Sequence, residues 1–155
     1  MQRIQIGPWE IEYDREATRA AYAAMSSDGY CDCQGCRNYL ANMRTLPETA
    51  RQFFNSLGIE PEKYSSLGCA IATGEDEFHY DGWYNFVGQH PSGEDIRLEY
   101  THKLTENLWV GLTTSLALVP EVIPEKQALQ LEFSASMPWL LNEPKEECYQ
   151  YREGD

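Results

Sequence analysis

The spacing of hydrophobic residues changes from a helical period to a period of two near residue 67 of this 155-residue chain. Before that point the pattern predicts three helices, over residues 15–25, 37–43 and 48–57. Asp14 precedes the first helix, where its carboxylate can accept a hydrogen bond from an unpaired amide of the first turn. Pro47 suits the start of the third helix and Gly58 suits its end.

Alternating hydrophobic and polar residues predict the strands. They cover residues 3–13, 69–73, 78–86, 96–100, 108–114 and 129–133. Gly7-Pro8 interrupts the first of these segments as a turn or bulge. Asp81-Gly82 interrupts the third, either as a tight hairpin turn or as a bulge in one long strand.

Short turns between alternating strands are typical of an antiparallel sheet with one packed face. Because the helices precede most of the strands, the order predicts an α+β fold with N-terminal helices packed on an antiparallel sheet of about five strands. The length is that of one domain, so we expect a single domain over residues 1–155. An acidic tail, residues 142–155, either lies over this domain or is mobile.

Charge narrows the partners that we expect. Twelve Lys and Arg against 25 Asp and Glu give a net charge of −13. Such a charge repels phosphate backbones and anionic lipid surfaces, so we expect neither a nucleic acid nor a membrane as a partner. It favours a basic protein partner or a cation, although an acidic surface also simply keeps a protein soluble.

The cellular compartment is predicted from what the chain lacks. Its first residues contain no apolar stretch of signal-peptide length, and no segment approaches the roughly 20 apolar residues of a membrane span. Five cysteines are an odd number in a chain too long to be a disulfide scaffold. These observations predict a cytoplasmic protein with reduced thiols.

Three cysteines within six residues are the clearest sign of chemistry. Cys31, Cys33 and Cys36 have spacings that let their sulfurs share one ion, and the loop leads into a helix whose free amides would lower thiol pKa values. Structural zinc takes four such ligands in a tetrahedron. We predict Cys148 as the fourth ligand, because it would anchor the tail. The other candidates are Cys69, His79, His90 and His102.

Two alternatives use the same cysteines. The thiols can stay metal-free and serve packing, or they can belong to a thiol redox enzyme or metal handler in which Cys33 and Cys36 form a disulfide that Cys31 resolves. No thioredoxin-like strand and helix pattern surrounds them, and copper(I) is a further ion that thiolates select. No phosphate-binding glycine loop or nucleophile elbow is present, so the sequence does not point to an enzyme.

Aromatic residues raise a second question about binding. At strand spacing such residues are more often core than surface. If Trp83 and Trp109 instead lie exposed on the polar face, they would form a partner-binding patch rimmed by acidic residues.

Four blocks of the chain carry a family resemblance. They are Cys31-Asp-Cys-Gln-Gly-Cys-Arg-Asn-Tyr39, Phe54-x-x-Leu-Gly-Ile-Glu-Pro61, Gly82-Trp-Tyr-Asn-Phe-Val-Gly88 and Pro138-Trp-Leu-Leu-Asn-Glu143. With them the chain resembles a group of small uncharacterised bacterial proteins that share the Cys-x-Cys-x-x-Cys-Arg-Asn-Tyr motif. The resemblance implies a bacterial origin and a stand-alone cytoplasmic domain, and it brings no activity. We therefore predict an acidic interaction protein with a zinc site, the thiol enzyme or metal handler being the alternative.

Overall fold

The structure of the chain is a computed structural model that describes residues 1–74 and 77–144, with the backbone alone over residues 69–74. Along the described residues a strand hairpin comes first, the α-helices follow and the remaining strands come last, which is an α+β arrangement. In chain order they are β1 (Gln2–Ile6), β2 (Trp9–Tyr13), α1 (Arg15–Ala24), α2 (Gln34–Arg44), α3 (Glu48–Leu57), β3 (Ser66–Gly74), β4 (Glu77–Gln89), β5 (His102–Thr105), β6 (Leu108–Thr113), a short 3-10 helix (Glu125–Gln127) and β7 (Ala128–Pro138). Over the described residues, no helix has both the length and the apolar character needed to cross a bilayer.

The three predicted helices form, and their ends have the expected causes. Asp14 Oδ1 accepts a hydrogen bond of 2.9 Å from the amide of Ala17 at the start of α1. Gly58 ends α3 with a φ of 87°. A Cβ on this glycine would lie 2.5 Å from the carbonyl oxygen of Arg15, so both its backbone angle and its contact with α1 require glycine.

A single antiparallel sheet contains the strands, with β4 and β7 at its centre. These two strands pair without a break from Glu77 opposite Pro138 to Val87 opposite Ala128. Beyond β7 the order continues to β6 and β5. The other edge of β4 is shared, because β3 pairs with its first half and β2 of the N-terminal hairpin pairs with its last two residues.

Two features of the predicted sheet were wrong. Within the described part of the chain it has seven strands rather than about five, and a strand pair precedes the helices, because the β1–β2 hairpin joins the sheet through β4. Residues 96–100 form no strand. Their backbone crosses over β6 instead, so that a Cβ on Gly111 would lie 2.1 Å from the carbonyl oxygen of Glu99. The Asp81-Gly82 pair lies inside one long strand with an unbroken β4–β7 register.

The two faces of the sheet differ in character. The inner face packs against the helices, where Tyr39 of α2 stacks on Phe133 and Phe54 of α3 contacts Tyr84. Successive side chains of a strand point to opposite faces of the sheet. The outer face therefore carries Trp83, which is half-buried, and Trp109, which is 38% exposed. The aromatic residues of β4 are therefore divided between the core and the surface.

Candidate metal centre

The cysteine cluster lies where a short loop enters α2. This helix begins at Gln34, three residues before the predicted start, so that Cys33 occupies the capping position and Cys36 falls in the first turn. The amide of Cys36 donates to Cys33 Sγ over 3.5 Å, and the amide of Cys33 donates to Cys31 Sγ over 3.4 Å. These contacts turn the three thiols toward one another.

The three sulfurs form a group suited to one metal ion. Their Sγ atoms all lie within 4.8 Å of one another. Tetrahedral zinc with sulfur ligands at about 2.3 Å holds its sulfurs about 3.8 Å apart, so side-chain adjustments on the order of 1 Å complete the geometry. Cys31 is exposed, Cys33 half-buried and Cys36 buried, which places the site at the surface with one ligand anchored in the core.

The pKa of the Cys33 thiol is raised, whereas the sequence predicted that the helix start would lower it. Burial, and to a smaller extent the neighbouring thiols of Cys31 and Cys36, together raise the pKa of the Cys33 thiol to about 11. The backbone amide of Cys36 acts in the opposite direction, as a helix N-terminus should, but its effect is smaller than that of burial. Without a metal the Cys33 thiol is protonated at neutral pH, which makes it a poor redox nucleophile.

The three histidines lie apart from this cluster. His102 Nδ1 accepts a hydrogen bond of 3.0 Å from the amide of Gly7, and burial lowers the pKa of this imidazole. His90 contacts the edge of Trp9, and His79 lies opposite Ser136 in the sheet. Among the described residues, the group of possible ligands that could hold an ion consists of Cys31, Cys33 and Cys36.

Of the two remaining cysteines, one lies within the described residues and one does not. The backbone of Cys69 pairs with Tyr80 in the β3–β4 ladder. Cys148, the predicted fourth ligand, lies outside the described residues.

The segment after β7, residues 139–144, is fastened to the same end of α2. Gln34 Nε2 donates to Glu143 Oε1 over 3.0 Å and to the carbonyl oxygen of Pro144 over 2.9 Å. Arg37 forms an ion pair of 2.8 Å with Glu143 and also donates to the carbonyl oxygen of Asp32 in the cysteine loop. The chain therefore passes directly beside the cluster before residue 145.

Asparagines of α2 hold the start of this segment. The side chain of Asn38 donates to the carbonyl oxygen of Pro138 over 3.0 Å and accepts from the amide of Leu140 over 2.7 Å. Asn42 donates to the same Pro138 oxygen over 3.1 Å. Sequence reasoning missed these residues, although two of them, Arg37 and Asn38, follow Cys36 directly in the chain.

Comparisons of this chain with protein-family models, curated proteins and solved structures found no match.

Proposed function

We propose that this is an acidic interaction protein in which Cys31, Cys33, Cys36 and Cys148 bind one zinc ion. The observation that carries the proposal is the approach of three sulfurs to within 4.8 Å at the start of α2. With four thiolates the site is closed, so the ion is structural and not catalytic. Its role is to fasten the C-terminal chain to the loop and helix that carry the other three ligands.

The path of the chain supports Cys148 as the fourth ligand. The carbonyl oxygen of Pro144 is hydrogen-bonded to Gln34, the residue that follows Cys33. Four further residues can extend up to about 14 Å, which exceeds the length of the Gln34 side chain between its backbone and Pro144. Cys148 is thus within reach of the cluster without any change in the described segment.

A bound zinc ion would also offset the electrostatic repulsion among the three thiolates. Three thiolates within 4.8 Å repel one another, and Cys33 holds its proton with a pKa of about 11. A bound dication supplies the positive charge that offsets both effects, and thiolates are ligands that zinc prefers. A cytoplasmic compartment, which keeps thiols reduced, fits this chemistry and the bacterial group that the chain resembles.

The net charge supports the proposal that this is an acidic interaction protein. A chain with a charge of −13 attracts basic surfaces over distances of about 10 Å and accelerates association with them. The partner class that we propose is therefore a basic protein.

Elemental analysis of protein purified without added metal tests the site. We expect one zinc per chain, with four thiols shielded from titration until a chelator is added. Cys31→Ser and Cys148→Ser should each lose zinc, whereas the matched control Cys69→Ser should retain it. If Cys148→Ser retained zinc and Cys69→Ser lost it, the fourth ligand would be Cys69 and not Cys148. Five freely reactive thiols without metal would overturn the site, and a disulfide between Cys33 and Cys36 would favour the thiol redox alternative.

A further inference from the structure

A cleft of about 650 Å³ opens on the outer face of the sheet, away from the cysteines. Its floor includes Trp83 of β4 together with Gln130 and Glu132 of β7. Its walls are residues 95–98, which cross over β6, and residues 113–117, which comprise the last residue of β6 and the loop after it. The cleft is therefore open to solvent on one side and lined by fixed strands on the other.

The aromatic ring and the carboxylate on the floor are held in place. Trp83 and Glu132 are directly opposite in the β4–β7 register, which places their Cβ atoms roughly 5 Å apart. The indole Nε1 of Trp83 donates to the carbonyl oxygen of Ala117 over 2.8 Å, so the orientation of the ring is fixed. Gln130, only 2% exposed, donates to Glu132 Oε2 over 2.9 Å and accepts from the amide of Ala117 over 2.9 Å.

The charge of the cleft favours a cation. Asp95 on the wall adds a second carboxylate to that of Glu132. Burial, and then the negative charges of Glu132 and Asp81, raise the pKa of Tyr100, which indicates a negative field on this face. Arg97 is the cation of the lining; it is exposed and forms no ion pair within the described part of the chain. Its donors are thus available to backbone carbonyl oxygens of a bound partner.

We infer that this cleft binds an arginine or lysine side chain of the basic partner. The cation stacks on the face of Trp83 and pairs with the carboxylates of Glu132 and Asp95. The inference rests on the basic partner of the proposed function and not on the zinc site, which lies at the start of α2.

An exposed apolar side chain follows the wall of the cleft in the chain. Leu118 directly follows Ala117, has a φ of 47° and is 73% exposed. Val122, in the same loop, is 41% exposed and lines a separate cavity together with Leu118 and Tyr30. A leucine held in left-handed backbone with its side chain in water is unusual, and such outliers concentrate at binding sites. The occupant that would fit both the cleft and this leucine is a basic segment with an apolar residue near its cation.

To test the cleft, the 155-residue protein is titrated with a peptide of nine arginines at low and at high salt. Tryptophan fluorescence is the readout of binding. The uncharged citrulline analogue of that peptide should not bind. Glu132→Gln preserves the shape of the side chain and its contact with Gln130, and we expect it to weaken binding about fivefold, the effect of losing one partly exposed ion pair. Asp95→Asn, at an exposed position on the wall, should act in the same direction.

The matched control is Glu48→Gln, which removes the same charge at an exposed position on α3, on the opposite side of the sheet. It should change binding less than about twofold. Equal weakening by Glu132→Gln and Glu48→Gln would overturn the cleft and leave a diffuse basic interaction. Failure of the arginine peptide to bind the wild-type protein would overturn the basic partner as well. Quenching by a neutral disaccharide but not by the peptide, lost in Trp83→Phe, would assign the cleft to a saccharide. Zinc content, measured in each variant, reports separately on the metal site.

Discussion

The guanidinium of Arg37 lies 2.8 Å from the carboxylate of Glu143, although 106 residues separate them in the chain. The contact joins the helix that carries Cys36 to the segment that leads toward Cys148. Gln34 adds a second hydrogen bond to the same carboxylate. The metal site that we propose would therefore stabilise an arrangement that protein contacts alone already form.

Acid should release this segment from α2. The hydrogen bonds from Arg37, and then from Gln34, lower the pKa of Glu143 below its ordinary value of 4.5. A lowered carboxyl pKa stabilises the folded contact above the ordinary value, and the contribution is lost as the pH falls through the folded-state pKa. The indole N–H of Trp139 donates to the carbonyl oxygen of Glu143, so its NMR shift reports the release. We expect a transition below pH 4.5 in metal-free, reduced protein.

Glu143→Gln is the control for this transition. Glutamine keeps an oxygen acceptor for Arg37 but does not titrate, so the Trp139 signal should stay constant over the same pH range. A transition of unchanged midpoint in Glu143→Gln would show that another group controls the segment.

The affinity for zinc should increase steeply with pH. Cys33 has a pKa of about 11 without metal, so zinc must displace its proton at neutral pH. Each displaced proton raises the apparent affinity about tenfold per pH unit. Competition with a chelator at pH 6.5 and 7.5 should therefore give a difference of at least tenfold. Cys33→Ser should bind zinc more weakly and with a smaller pH dependence. An affinity independent of pH would contradict thiolate ligation.

The spacing of residues along the chain predicts the local contacts of the cysteine cluster but not its long-range contacts. The approach of three cysteines follows from their positions in a loop that enters a helix, and Asp14 and Gly58 mark helix ends by local chemistry. The contact between Arg37 and Glu143 has no local signal, because it depends on how the end of β7 returns to α2. The cleft likewise requires the register that places Trp83 opposite Glu132.

The strand predicted over residues 96–100 shows a second limit. Ile96 is buried as its alternating pattern indicates, but Leu98 is only half-buried and Tyr100 is 39% exposed. Alternation does not report whether the backbone has a neighbouring strand to pair with. Here the segment lies on the face of β6 rather than beside it, with Glu99 over Gly111.

Gly111→Ala should disrupt that crossing. The added Cβ would lie 2.1 Å from the carbonyl oxygen of Glu99, which is backbone and cannot rotate away. We expect a loss of about 3 kcal/mol in the free energy of unfolding, as for an overpacked core. Gly93→Ala is the control, because its Cβ would meet nothing within 4 Å and only its φ of 75° opposes the change. It should cost about 1 kcal/mol in urea unfolding. Equal costs would show that the crossing is not rigid.

Stability should also depend on His102 at mildly acidic pH. Burial lowers the pKa of His102 below 6.5, and its Nδ1 accepts from Gly7 only when it carries no proton. The unfolded chain therefore binds the proton more readily, so stability is lost as the pH falls below 6.5. Urea unfolding at pH 7.5 and 5.5 should show a larger loss in the wild type than in His102→Gln. The control His79→Gln should retain the wild-type dependence, and a His102→Gln profile equal to the wild type would refute the assignment.

Leu118→Gly should improve folding and impair binding in the same molecule. Glycine relieves the left-handed strain at φ 47°, and little packing is lost because the leucine side chain is 73% exposed. After the entropy that glycine adds to the unfolded chain, we expect a net gain of about 0.5 kcal/mol in the free energy of unfolding. Binding of a peptide with arginine beside leucine should weaken, whereas binding of the arginine-only peptide should not. A variant that gains stability and keeps full affinity for both peptides would remove Leu118 from the binding surface, and one that loses stability would show that the leucine packs against the loop.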